Sequence, residues 1–160
     1  MIANMGALLN AAVTEVFSTM LNLEMRQLPA TECAFDGEAQ IASAVGFTGQ
    51  TAGVVYLYTT ARFAGRITRG LLGLSDDDTH SEEMVNDAMG EIANMVVGHF
   101  KSRLTDRGLP CVMTIPSIVR GSHFDIEAVS QTVVDRLGFH HADNFVVVEV
   151  LLRGGNPAPA

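Results

Sequence analysis

The chain has 160 residues, 48% of them hydrophobic and 18% charged, a balance that suits one folded domain and not a disordered segment. Asp and Glu number 18 against 10 Lys and Arg, for a formal net charge of −8. With no basic run anywhere, that balance argues against nucleic acid as a partner, because phosphate recognition rewards clustered Lys and Arg.

The first 25 residues lack the basic start of an export signal, and Asn4, Asn10, Glu15 and Asn22 interrupt their apolar run. They suit neither a signal peptide nor a bilayer span, so no membrane insertion and a cytoplasmic setting are expected. Leu9, Val13, Val16, Phe17, Met20 and Leu21 recur at helical spacing and predict a helix over residues 6–23, a region that Pro29 closes. From about residue 32 to 59 the texture turns to β, with runs at 32–35, 40–49 and 51–60 and turn signals at Gly37 and Gly49–Gln50. The second and third runs read as a hairpin.

Residues 61–73 return to helical spacing through Phe63, Ile67, Leu71 and Leu72, and end in glycine. A polar loop, LSDDDTHSEE, leads into a long helix from about Ser81 to Leu104. Its acidic entry and the basic Lys101, Arg103 and Arg107 near its exit both suit the helix dipole, and Gly108–Leu109–Pro110 stops it. Three strands follow, at 111–121, 124–138 and 144–154, although residues 125–137 can also be written as a helix. The last residues, GGNPAPA, read as a loose tail, giving one domain over 1–153 and a flexible segment over 154–160. The element order α-βββ-αα-βββ predicts an α+β fold with a largely antiparallel sheet packed against long helices. The apolar runs VVYLYTT and NFVVVEVLLRG are candidates to leave a sheet edge that needs cover.

Cys33 and Cys111 lie far apart in apolar stretches and read as buried free thiols in a reducing compartment. His80, His99, His123, His140 and His141 are scattered and read as surface or loop residues. No metal centre is expected, and no motif for nucleophilic catalysis is present.

The long helix contains DAMGEIANMVVG, residues 87–98. At about 100° per residue, Asp87, Glu91, Asn94, Gly98 and Lys101 fall within about 40° of one direction, with Val85, Met89, Ile92, Val96 and Phe100 on the opposite side. Met84, Ala88 and Met95 flank the polar stripe. Any amphipathic helix has a polar face, but two details set this one apart. Asn is a mediocre residue in a helix interior, and glycine there costs about 1 kcal/mol relative to alanine. A glycine facing outward removes bulk where a partner, or another part of the chain, approaches closely.

DAMGEIANMVVG followed by CVMTIPSIVRG resembles the signature of the CheC/CheX/FliY chemotaxis phosphatases: an Asp or Ser, a Glu four residues on, an Asn three beyond that, and a downstream Pro. Asp87, Glu91, Asn94 and Pro116 occupy those places. One copy of the motif points to the CheX-like branch. A rival ExxN at Glu83 and Asn86 lies off the stripe and lacks the Asp or Ser before it.

The resemblance implies dephosphorylation of an aspartyl phosphate on a CheY-type response regulator. Asn94 would position the attacking water and Glu91 would dock against a lysine of the phosphorylated receiver domain. Asp87, Gly98, Met84, Met95 and Pro116 would contact or shape the surface toward that partner. No cofactor of its own is implied, the Mg²⁺ belonging to the receiver, and a homodimer is expected. Two rivals stand beside this reading: a non-catalytic receiver-binding module, and a flagellar-switch-like structural protein. Retention of both Glu91 and Asn94 favours catalysis over binding alone, and 160 residues without appended segments disfavour a switch-building part.

Overall fold

Helix α1 (Met5–Leu21) turns Leu9, Val13, Val16 and Phe17 into the core, the face its apolar spacing marks. It stops where Asn22 adopts a left-handed conformation (φ 53°) and returns its N–H to the Phe17 carbonyl. This computed structural model describes residues 4–126 and 131–153; the expected C-terminal tail lies outside them.

Strand β1 (Arg26–Leu28) comes next, then Pro29 and a short 3-10 turn at Ala30–Glu32. The first strand therefore lies before Pro29 and not at 32–35. Asp36 (φ 50°) and Gly37 (φ 80°) take positive φ and bend that stretch. Cys33 and Phe35 satisfy their apolar character by packing on the sheet without pairing into it.

Strands β2 (Gln40–Gly49) and β3 (Gly53–Thr60) form the expected hairpin, with Val45 opposite Val55. Helix α2 (Ala61–Leu72) starts on Thr60, whose hydroxyl accepts the Phe63 N–H, and ends on left-handed Gly73. Helix α3 (Glu82–Asp106) starts on Ser81, whose hydroxyl accepts the Met84 N–H, with Glu82 and Glu83 in the first turn and Arg103 in the last.

The run expected as one strand over 111–121 is two, β4 (Cys111–Met113) and β5 (Ser117–Gly121), both pairing with β2. Met113 pairs with Phe47 and Ser117 with Ala44, so residues 114–116 lie opposite only Val45 and Gly46. The extra residue makes a bulge. Pro116 sits in it, where a missing N–H costs no ladder bond.

Strands β6 (Gln131–His141) and β7 (Asn144–Arg153) close a second hairpin. From residue 131 onward the ambiguous segment is thus a strand, as apolar pairs such as Phe139 opposite Val146 require; residues 127–130 lie outside the described part.

The sheet runs β1-β6-β7-β3-β2-β4, with β5 also on β2 and every pairing antiparallel, so the fold is the expected α+β. The strands expected to leave an open edge, β3 and β7, are interior. The edges are instead β1 at one end and β4 with β5 at the other. All three helices contribute to one core with the sheet, which fully buries Phe17, Phe47, Phe63, Phe100 and Phe139. Opposite faces of neighbouring residues explain the second cluster, where Tyr58, Ala42 and Val147 are covered by Phe35, Phe124 and Ile126. There the half-exposed Arg136 pairs with the buried Glu149 at 2.6 Å. No helix among the described residues is long and apolar enough to cross a membrane.

Candidate functional site

Helix α3 is held from three sides. Val85, Met89, Ile92, Val96 and Phe100 are buried in the main core, and Phe100 meets Phe47 edge-on at 5.7 Å. The Ser43 hydroxyl reaches the Met89 carbonyl at 3.4 Å. Arg120 on β5 donates to the Asn86 side chain at 2.6 Å and to the Glu82 carbonyl at 3.2 Å. These ties fix the rotation of the helix about its own axis, and so the direction of its outer face.

On that face Asp87 and Glu91 are exposed, while Asn94, Gly98 and Lys101 are half-buried. Among the described residues, Asp87, Glu91 and Asn94 make no side-chain hydrogen bond or ion pair. A single carboxylate or amide left open to water is ordinary. Three in one line, on a helix whose Asn86, His99 and Arg103 are tied to other elements, form a surface available to a partner.

The rival pair separates cleanly. Asn86 spends its amide oxygen on Arg120 and works as a strut between α3 and β5. Asn94 has no such employment, so the two ExxN matches differ in kind. Nothing in the sequence pattern marks Arg120 for this duty, because its partner lies 34 residues away across the fold.

Pro116 packs on the helix immediately before Glu91. A Cβ built on Gly90 would stand 3.3 Å from the Pro116 ring. Of the two glycines on α3, Gly90 is thus the one whose small size the fold itself uses. Gly98 is different: nothing among the described residues lies within 4 Å of a Cβ placed there. The contact that motivates a glycine at 98 is therefore not within this part of the chain. Gly98→Ala is expected to raise stability by about 0.5–1 kcal/mol, read as a higher Tm, since it only removes backbone entropy from the unfolded state. A neutral or lower Tm would contradict open space at that position.

Met84 and Met95 are half-buried on the side of the stripe away from Pro116. Next to Met95 and Gly98, a shallow groove of about 430 Å³ runs between α1 and α3, bounded by Val16, Thr19, Met20 and His99. Glu15 ties the two helices beside it, 3.4 Å from His99 and 3.1 Å from Arg103. The site is a surface stripe flanked by methionines and a proline; a deep cavity is not part of it. Such a shape suits docking against a folded partner more than enclosure of a small molecule.

Among the described residues no group of three or more His, Cys, Asp or Glu is placed to hold a metal ion. Both cysteines are free, and burial pushes each thiol above the ordinary cysteine value. His80 lies 3.5 Å from Arg69, His141 contacts the Glu24 carbonyl, and His99 belongs to the α1–α3 tie.

The sequence profile of the family described as Chemotaxis phosphatase CheX matches residues 41–139, which include the whole stripe and Pro116. Among curated proteins no sequence matches this chain. Solved structures do. The chemotaxis protein CheX from Vibrio vulnificus is 24% identical with a TM-score of 0.77, covering 94% of this chain and 97% of its own. A CheC-like chemotactic protein from Shewanella oneidensis is 26% identical with a TM-score of 0.73, covering 95% and 99%. A CheX–CheY–BeF₃–Mg²⁺ complex from Borrelia burgdorferi matches at 21% identity with a TM-score of 0.75, covering 95% and 99%.

Proposed function

The chain belongs to the CheX family of chemotaxis phosphatases, and from that premise we propose that it hydrolyses the aspartyl phosphate of a CheY-type response regulator. The observation that carries the reading is the stripe itself: Glu91 and Asn94, without partners among the described residues, face outward from a helix fixed by core packing and by Arg120.

An aspartyl phosphate is an acyl phosphate and already activated. Its hydrolysis needs a water placed in line with the departing carboxylate oxygen, so positioning and charge stabilisation carry the catalysis. An amide suits that task. The Asn94 carbonyl accepts a hydrogen bond from the water while its NH₂ donates to a neighbouring oxygen, and no negative charge is added beside the phosphoryl group. Glu91 lies one turn away, about 4.5 Å along the helix axis. Its carboxylate docks against a cation beside the phosphorylation site and sets the register of the helix against the receiver. Asp87 extends this contact toward the helix N-terminus. Gly98 lets the partner come close, and Met84 and Met95 supply adaptable apolar contact on one flank.

Mg²⁺ belongs to the receiver's acidic pocket, as the composition of the Borrelia CheX–CheY complex suggests for that pair. The residues of one domain over 1–153 suffice for the reaction, in the cytoplasm where the regulator works. The chain acts as a homodimer; sedimentation showing only a 17.1 kDa species at micromolar concentration contradicts that assembly.

The test is phosphate release from phosphorylated CheY-type receivers encoded in the same genome, with this protein far below stoichiometric amounts. Acceleration with many turnovers per chain is expected for at least one receiver. If a receiver binds but keeps its phosphate at the unassisted rate, the stripe is a docking face and the chain a binding module.

A further inference from the structure

Ile115 is 86% exposed, the largest exposure among the large hydrophobic residues of the described part. Its position follows from the bulge. Three residues stand opposite two between β4 and β5, and the extra one re-aims the side chain that a regular strand would lay along the sheet. The bulge is anchored on both sides. The Thr114 N–H donates to the Gly46 carbonyl at 2.8 Å, and the Thr114 hydroxyl accepts the Gly46 N–H at 2.9 Å. Pro116, one peptide unit further, packs on Gly90, the residue before Glu91.

We infer that Ile115 is a docking residue for the receiver domain, an apolar post beside the polar stripe that inserts into a hydrophobic depression next to the phosphorylation site. This rests on the proposed phosphatase reading and deepens it. Continuity carries it: Pro116, the residue after Ile115, packs against Gly90, the residue before Glu91, so Ile115 stands on the strand segment that borders the helix turn bearing Glu91. An isoleucine kept in water by a rigid, doubly hydrogen-bonded bulge has no task in the fold, whereas a desolvated apolar anchor next to polar groups is the usual anatomy of a protein interface.

A second copy of the chain is the competing occupant, and the geometry disfavours it at this point. Edge-to-edge pairing needs a regular row of outward backbone groups; here the bulge breaks that row and Pro116 offers no N–H.

The experiment measures affinity for a CheY-type receiver held in its active form by beryllofluoride and Mg²⁺, using wild type, Ile115→Ala, Ile115→Asp and Val119→Asp. Val119, 42% exposed on the same edge but on β5 beyond the bulge, controls for added edge charge. Ile115→Asp is expected to weaken binding at least tenfold, Ile115→Ala about threefold to tenfold, and Val119→Asp less than twofold, with Tm unchanged in all. Equal affinity for wild type and both Ile115 variants overturns the inference while leaving phosphatase activity, and so the parent reading, intact. Loss of a dimer in Ile115→Asp with receiver affinity per chain retained overturns it as well, assigning the residue to a self-interface. If wild type accelerates phosphate loss from no receiver and binds none, the parent reading fails first and takes this inference with it.

Discussion

Replacing Asn94 by alanine is expected to lower the rate of receiver dephosphorylation by about 10²-fold or more while leaving receiver affinity within about threefold. The split follows from what the amide does. Its hydrogen bond to the in-line water forms fully only as the water attacks, so its loss falls on the chemical step and not on docking. The fold tolerates the change, since Asn94 has no partner among the described residues and alanine is the better helix former. Asn94→Asp separates two accounts. If the residue needed only an acceptor oxygen, aspartate would retain most of the rate. Because a carboxylate brings negative charge next to a phosphoryl group and loses the NH₂ donor, a loss close to that of alanine is expected. Phosphate-release kinetics beside a binding isotherm for the beryllofluoride form read both quantities.

Reversing the charge at position 91 is expected to act on the other quantity. Glu91→Arg should weaken receiver binding by about tenfold to a hundredfold, because it replaces an attractive ion pair at a desolvated contact with a repulsive one. Glu91 is exposed and has no cation partner among the described residues, so its charge is available to the receiver and the variant is expected to fold normally. Glu91→Gln, which keeps shape and loses charge, should lie between. The loss should grow smaller as salt rises, since the attraction being removed is itself screened. A Glu91→Arg variant that binds as well as wild type would remove the docking role and leave Asn94 to orient the helix alone.

How far the sequence alone discloses the molecule depends on the range of the interaction concerned. The stripe was legible because a helix repeats itself: spacing of +4, +3 and +4 on an amphipathic segment places side chains without knowledge of the rest of the chain. The hairpin of β2 and β3 and the left-handed glycine ending α2 were legible for the same local reason. The position of β1 was not, because a three-residue strand carries almost no periodic signal and depends on pairing with β6, more than a hundred residues later. The division of 111–121 was equally hidden. Pro116 announced an interruption, but only the register against β2 shows that one extra residue turns it into a bulge. Arg120 and Asn86 carry no local signal as a pair, and nothing local distinguishes Gly90 from Gly98, although Gly90 is the one that Pro116 packs against. Distant contacts decided each of these cases.

The structure of this chain bound to a CheY-type receiver carrying beryllofluoride and Mg²⁺ would test the placement of Asn94 most directly. The side-chain amide within hydrogen-bond reach of the site in line with the beryllium–oxygen bond, with Glu91 against a receiver cation, is the expected arrangement. A complex in which α3 lies away from the acidic pocket, or in which the Asn94 amide points elsewhere while another side chain reaches the in-line site, would contradict it.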